Sequence, residues 1–172
     1  MSDEISLTIS TELKQRAQGI LEALKTTNMS IVTAESCTAG MIAAVLSRCD
    51  GAGAFMHGGF VTYTKAQKAI ALGVSHGLLE QCGAVNEAVA REMAAGALSR
   101  SPATLSLAVT GVLGPEEDED GNPVGLVCFC AATRDKEPMA MREEFGKRSA
   151  DELLRLTIGR AFDLIDAALK SL

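Results

Sequence analysis

Buried-strand patterns alternate with amphipathic-helix patterns along most of this chain. Strand patterns cover residues 30–34, 58–63 and 105–109, and helix patterns cover residues 38–48, 64–73 and 86–99. This alternation implies βα units, with helices on both faces of one sheet. Two further strand patterns meet at a turn over residues 134–137, which indicates a hairpin. We therefore expect an α/β protein whose sheet is mixed and not purely parallel.

Helical patterns also open and close the chain. The first has Ser10 or Thr11 as its N-cap and an apolar stripe at Leu13, Ala17, Ile20, Leu21 and Leu24. The last begins at a capping box formed by Ser149 and Glu152. A chain of 172 residues fits one domain. We expect a single domain over residues 1–172, with the N-terminal helical segment 1–29 packing on it.

Charge and composition narrow the classes of partner. The net charge of −6 and the lack of basic clusters disfavour general nucleic-acid binding, although a small anionic ligand needs only one or two cations. No signal-peptide pattern or membrane-length apolar stretch is present, so we expect a cytoplasmic protein without a membrane partner. The five cysteines form no CxxC pair, so we expect reduced thiols and no metal site.

A polar stretch between the first strand and its helix is the first candidate for chemistry. It comprises Glu35, Ser36, Cys37 and Thr38. A turn of this kind lies where α/β proteins usually bind ligands, and free N–H groups there suit an anion or a developing oxyanion. Ser36 is either a nucleophile or a helix cap, and Cys37 is a rival nucleophile. Sequence alone leaves these alternatives open.

A serine nucleophile also needs a base. The two histidines, His57 and His76, fit no triad pattern, so a lysine is the natural partner, with Lys65 and Lys68 as alternatives. Its pKa would have to fall from about 10.4 to roughly 7–8, to which burial beside Tyr63 could contribute. A second strand end, Thr110-Gly111, has the same form as the first and would face it across a small ligand site.

Five stretches in one order make this chain resemble the CinA C-terminal domain family. They are TAESCTAG (33–40), GGFVTYTKAQKAIALGV (58–74), GAVNEAVAREMAAGA (83–97), VTGVLGP (109–115) and PVGLV (123–127). The resemblance implies a stand-alone α/β/α sandwich. It also implies hydrolysis of nicotinamide mononucleotide to nicotinate mononucleotide and ammonia, with no metal or other cofactor. We also expect a possible homo-oligomer.

Site residues carry over from the resemblance one by one. Ser36 would be the nucleophile, Lys68 the base and Tyr63 its assistant. Substrate-binding positions would be Glu35, Cys37, Thr38, Thr110, Gly111 and Arg148, of which Arg148 could hold the phosphate.

The chain departs from the family pattern at Ala39, Asn86, Leu113 and Lys147, and in the acidic loop Glu116–Asp120, which we interpret as a solvated loop. Leu113 and the acidic loop motivate an alternative. The chain would then be a catalytically inactive paralogue that binds a nucleotide or another protein.

Overall fold

The computed structural model describes residues 9–172, which form five β-strands and six α-helices. The strands are β1 (Ile31–Glu35), β2 (Met56–Val61), β3 (Leu105–Gly111), β4 (Leu126–Thr133) and β5 (Met139–Glu144). The helices are α1 (Thr11–Thr27), α2 (Met41–Ser47), α3 (Lys65–Leu72), α4 (His76–Cys82), α5 (Glu87–Ser99) and α6 (Ala150–Lys170). Residues 1–8, the start of the predicted N-terminal segment, lie outside the described part.

The five strands form one mixed sheet, in the order β2-β1-β3-β4-β5. β1 runs parallel to both of its neighbours, whereas β3–β4 and β4–β5 are antiparallel pairs. The expected mixed sheet and late hairpin are therefore confirmed. Because β1, β2 and β3 share one direction, their carboxyl ends meet at one edge of the sheet. That edge brings Ser36, Tyr63 and Thr110 into one neighbourhood.

Two apolar clusters fill the spaces on either side of the sheet. Residues of α1, α2 and α6 pack on one face, and residues of α3, α4 and α5 pack on the other. This arrangement confirms the α/β/α sandwich in a single domain. The core is mostly aliphatic, with Phe129 and Phe162 as its fully buried aromatic residues. α1 contacts both α6 and α2, so the helix begun by the Ser10 N-cap is part of the same core.

Two helices differ from the prediction. α2 begins at Met41 and not at Thr38, because Ala39 and Gly40 have positive φ angles of 49° and 90°. The chain therefore uses a tight turn before the helix starts. α4 was not predicted, because its seven residues bury only Leu79 and so give a weak periodic signal.

Residues 9–172 contain neither a disulfide bond nor a cluster of metal-binding side chains. All five cysteines are free thiols. Within these residues, no group of three or more histidines, cysteines or acidic residues is placed to hold a metal ion. None of the helices described here has both the length and the apolar character needed to cross a bilayer.

Candidate active site

The turn after β1 is built around the buried carboxylate of Glu35. It accepts four hydrogen bonds, from Thr33 Oγ1 (3.0 Å), Thr38 Oγ1 (2.7 Å), Ile42 N (3.0 Å) and Ala43 N (2.8 Å). The structure thus places Glu35 and Thr38 beneath the turn, and neither lines the cleft described below. The carboxylate also occupies N–H groups at the start of α2 that the sequence analysis assigned to a ligand.

The hydroxyl of Ser36, in this turn, contacts a buried lysine. The Lys68 Nζ atom lies 2.7 Å from Ser36 Oγ and donates a second hydrogen bond to the Thr62 carbonyl at 2.9 Å. Lys68 is fully buried and Ser36 nearly so. Burial penalises the ammonium form, and it lowers the pKa of Lys68 from its ordinary 10.5 to about 8. The pair therefore has the contact and the proton affinity that a serine nucleophile and its base require.

The structure distinguishes the two lysines that the sequence left as alternatives. Lys65 lies one turn before Lys68, but its Nζ atom contacts Asp120 Oδ1 at 2.6 Å and Glu119 Oε1 at 3.0 Å. Hydrogen bonds to these two carboxylates raise the pKa of Lys65. Lys65 thus stays protonated at neutral pH and is poorly suited to act as a base.

Cys37, the rival nucleophile, has the opposite electrostatic setting. Burial raises the pKa of its thiol to about 12, the positive charge of Lys68 offsets only part of that rise, and the charge of Glu35 adds a smaller increase. A thiolate is the reactive form of cysteine, so this thiol is almost entirely unreactive near neutral pH. Its side chain nevertheless lines the cleft beside Ser36.

A cleft of about 470 Å³ opens over the Ser36–Lys68 pair. This volume lies in the range of small-molecule sites, about 300–1,000 Å³. Its wall includes Tyr63, Thr110 and Gly111. Tyr63 is exposed at the mouth, and the Thr110 hydroxyl donates to the Ala84 carbonyl at 2.8 Å. A Cβ atom on Gly111 would lie 2.8 Å from the Leu126 carbonyl oxygen, so a side chain there would push β3 and β4 apart.

The acidic loop lies along the cleft and is largely exposed to solvent. All five of its residues, Glu116–Asp120, line the cleft. Lys65 holds it from the α3 side, and the Ala84 N–H donates to Asp120 Oδ2 at 3.1 Å. The negative charge of the loop beside the site was expected, but its ion pairs with Lys65 were not predicted, although Lys65 and the acidic run are complementary in charge.

Arg148 is held outside the cleft. Its guanidinium contacts Glu152 Oε1 at 2.6 Å and the Phe145 carbonyl at 3.0 Å, and the residue is not part of the cleft lining. The position predicted for phosphate binding therefore does not line this cleft.

Comparison with known proteins gives one consistent result. A sequence model of the CinA C-terminal domain matches residues 13–169. The nicotinamide-nucleotide amidohydrolase PncC of Escherichia coli is 41% identical over 140 residues, which are 81% of this chain and 85% of that protein. The CinA-like protein of Mycolicibacterium vanbaalenii is 52% identical over 103 residues, or 60% of this chain. The match spans only 24% of that longer relative.

Solved structures show the same similarity in three dimensions. A competence-damaged protein (CinA) superfamily protein from Escherichia coli has a TM-score of 0.85 at 33% identity, covering 99% of this chain and 96% of that one. A member of the same superfamily from Klebsiella pneumoniae has a TM-score of 0.89 at 29% identity. That match covers 93% of this chain and 99% of the other.

Proposed function

This chain belongs to the CinA C-terminal domain family, and on that premise we propose that it hydrolyses nicotinamide mononucleotide to nicotinate mononucleotide and ammonia. The observation that carries the proposal is the 2.7 Å contact between Ser36 Oγ and the buried Lys68 Nζ at the base of a cleft. The Escherichia coli relative named for this activity matches 85% of its length, which supports the same assignment.

The reaction proceeds through a covalent intermediate on Ser36. The neutral Lys68 amine takes the hydroxyl proton as Ser36 Oγ attacks the amide carbon, which gives a tetrahedral intermediate. Lys68 then returns that proton to the leaving nitrogen, so ammonia departs and an ester on Ser36 remains. Water hydrolyses the ester, with Lys68 again accepting and returning a proton, and the carboxylate product leaves.

The developing oxyanion needs N–H donors near Ser36. The Ser36 N–H donates to the Val109 carbonyl at 3.0 Å, and those of Ile42 and Ala43 donate to Glu35. Cys37 lines the cleft, and in the described part of the chain its N–H group donates to no acceptor on another residue. We assign the Cys37 N–H group as an oxyanion donor. Thr110 and Gly111 then form the opposite wall of the substrate site, and Tyr63 lies at its mouth.

Ammonia release from nicotinamide mononucleotide tests the proposal directly. Ser36→Ala should abolish turnover, a loss of at least about a thousandfold, because the nucleophile is removed. Ser47→Ala is the matched control, since that exposed hydroxyl bonds only within α2, to the Ala44 carbonyl at 2.9 Å. The control should keep full activity and both variants should keep the wild-type melting temperature within a few degrees.

Two outcomes would contradict the proposal in different ways. Undiminished turnover by the Ser36→Ala variant would refute the Ser–Lys mechanism. No turnover by the wild-type protein, together with a melting temperature raised by the nucleotide, would favour the alternative of a nucleotide-binding paralogue. That alternative has one supporting observation, the five carboxylates of Glu116–Asp120 along a cleft meant to receive a phosphate.

A further inference from the structure

The Lys65 side chain lies in the cleft wall without a part in the proposed chemistry. Among the described residues that line the cleft, Lys65 and Lys68 are its cations. Lys68 is engaged by Ser36 and the Thr62 carbonyl, and Arg148 is held outside by Glu152. A phosphorylated substrate in this cleft therefore meets one cation that is free of the chemistry, the ammonium of Lys65.

In this structure that ammonium is occupied by carboxylates of the acidic loop. Lys65 Nζ lies 2.6 Å from Asp120 Oδ1 and 3.0 Å from Glu119 Oε1. The Lys65 side chain is 30% exposed, and that of Glu119 is 73% exposed. The Asp120 side chain is less open, at 26% exposed, but both pairs reach solvent. Ion pairs at a protein surface contribute only about 0–1 kcal/mol, so replacing the carboxylates costs little. A phosphate monoester has a charge of about −1.5 to −2 and three acceptor oxygens, and it competes well for an ammonium.

The loop does not depend on Lys65 alone for its conformation. Asp118 Oδ1 accepts hydrogen bonds from the Asp120 N–H (3.0 Å) and the Asn122 N–H (2.8 Å). The Asn122 amide also donates to Asp118 Oδ2 at 2.9 Å, and Asp120 Oδ2 keeps its bond from the Ala84 N–H. These bonds hold the loop in place when Lys65 changes partner.

We propose that Lys65 binds the phosphate of the substrate, which takes the place of the Glu119 and Asp120 carboxylates on the lysine ammonium. The inference rests on the proposed function for the choice of a mononucleotide. It gives Lys65 a substrate-binding role and makes the acidic loop an internal competitor. Glu119 and Asp120 then set how strongly the empty site favours phosphorylated over unphosphorylated ligands.

The test compares two ligands that differ by the phosphate alone, nicotinamide mononucleotide and nicotinamide riboside. Calorimetric titration is done in the Ser36→Ala background, so that neither ligand is consumed. Adding Lys65→Gln should weaken mononucleotide binding by about ten- to a hundredfold, the usual loss when a hydrogen-bonded charge partner is removed. Riboside binding should change less than about twofold, because that ligand has no group for Lys65.

Neutralising the competing carboxylates separates phosphate binding from support of the loop. Glu119→Gln and Asp120→Asn each remove one of the two ion pairs but keep the Lys65 cation. Each should leave mononucleotide binding unchanged or make it tighter. If they instead weaken it as Lys65→Gln does, then Lys65 acts only by holding the loop and the inference is wrong. Equal losses for both ligands in Lys65→Gln, or no binding of either ligand to the starting protein, would also overturn it.

Failure of the inference is distinguishable from failure of the proposed function. Ammonia release that depends on Ser36, with a mononucleotide affinity indifferent to Lys65, would leave the function standing and refute the Lys65 role. Mononucleotide binding that depends on Lys65, without any ammonia release, would do the reverse. Lys25→Gln serves as the matched control for an exposed lysine outside the cleft, in the last turn of α1, and it should not change the ratio of the two affinities.

Discussion

Raising the pH from 7 to 9 should increase kcat/KM for ammonia release about tenfold, because the base must be neutral to act. The pKa of Lys68 is lowered to about 8 by burial. The neutral fraction is then roughly a tenth at pH 7 and roughly nine-tenths at pH 9. The logarithm of kcat/KM should rise with a slope near one below pH 8 and level off above pH 9. An ordinary exposed lysine would instead keep the rate rising beyond pH 10.

Neither the substrate phosphate nor the neighbouring thiol should distort this profile. The second pKa of a phosphate monoester is about 6, so the substrate phosphate is almost fully ionised by pH 7. Burial raises the pKa of Cys37 to about 12, well above pH 9. A change in rate between pH 7 and pH 9 therefore reports mainly on Lys68.

The assay measures initial rates of ammonia release from pH 6.5 to 9.5, at constant ionic strength. Lys68→Arg is the informative variant, because a guanidinium keeps the positive charge but cannot be deprotonated in this range. It should be inactive at every pH. A wild-type profile that is flat between pH 7 and pH 9 would refute the assignment of Lys68 as the base. So would a Lys68→Arg variant that retains the wild-type profile.

Two predictions concern stability. Burial lowers the pKa of Lys68 from 10.5 to about 8, and below pH 8 this shift destabilises the folded state by roughly 3 kcal/mol. Lys68→Met should therefore be about 1–2 kcal/mol more stable than the wild type at pH 7, once the hydrogen bonds that it loses are counted. That gain in stability should shrink as the pH rises from 8 to 10.5. Denaturant unfolding at pH 7 and pH 10 measures the free energy of unfolding of both proteins, and a variant less stable than the wild type at pH 7 would contradict the reasoning. In the same assay, Ala39→Gly should stabilise the protein by about 0.5–1 kcal/mol, because Ala39 has a φ of 49°. The control Ala44→Gly, inside α2, should destabilise the protein by about 1 kcal/mol. A destabilised Ala39→Gly variant would show that the turn is not strained.

Much of the fold followed from local patterns in the sequence. The apolar stripe of α1, the capping box of α6 and the adjacent β4 and β5 strands all lie where periodicity placed them. Periodicity failed where an element is short or where a turn precedes it. α4 has only seven residues, and the start of α2 depends on the backbone angles of Ala39 and Gly40, which an alanine–glycine pair does not specify.

The site was harder to predict because its alternatives differ in burial and not in residue type. Lys65 and Lys68 are on the same helix, yet one is 30% exposed in its side chain and the other is fully buried. Ser36 and Lys68 are 32 residues apart and meet only because β1 and β2 are neighbours. Glu35 and Arg148 are held by contacts that are close in sequence, the first by N–H groups of α2 and the second by Glu152. Residue type alone did not indicate these partners.

The buried carboxylate beneath the turn also bears on why a hydroxyl, and not the adjacent thiol, suits this site. Glu35 occupies the N–H groups of Ile42 and Ala43, so the positive end of α2 is largely neutralised before it reaches the cleft. A cysteine nucleophile needs a stable thiolate, and both burial and the Glu35 charge oppose one at Cys37. Ser36 does not need to be ionised before the reaction, because Lys68 removes its proton during the attack. The same burial that suppresses the Cys37 thiolate lowers the pKa of Lys68, so one desolvated environment disfavours the thiol and activates the hydroxyl.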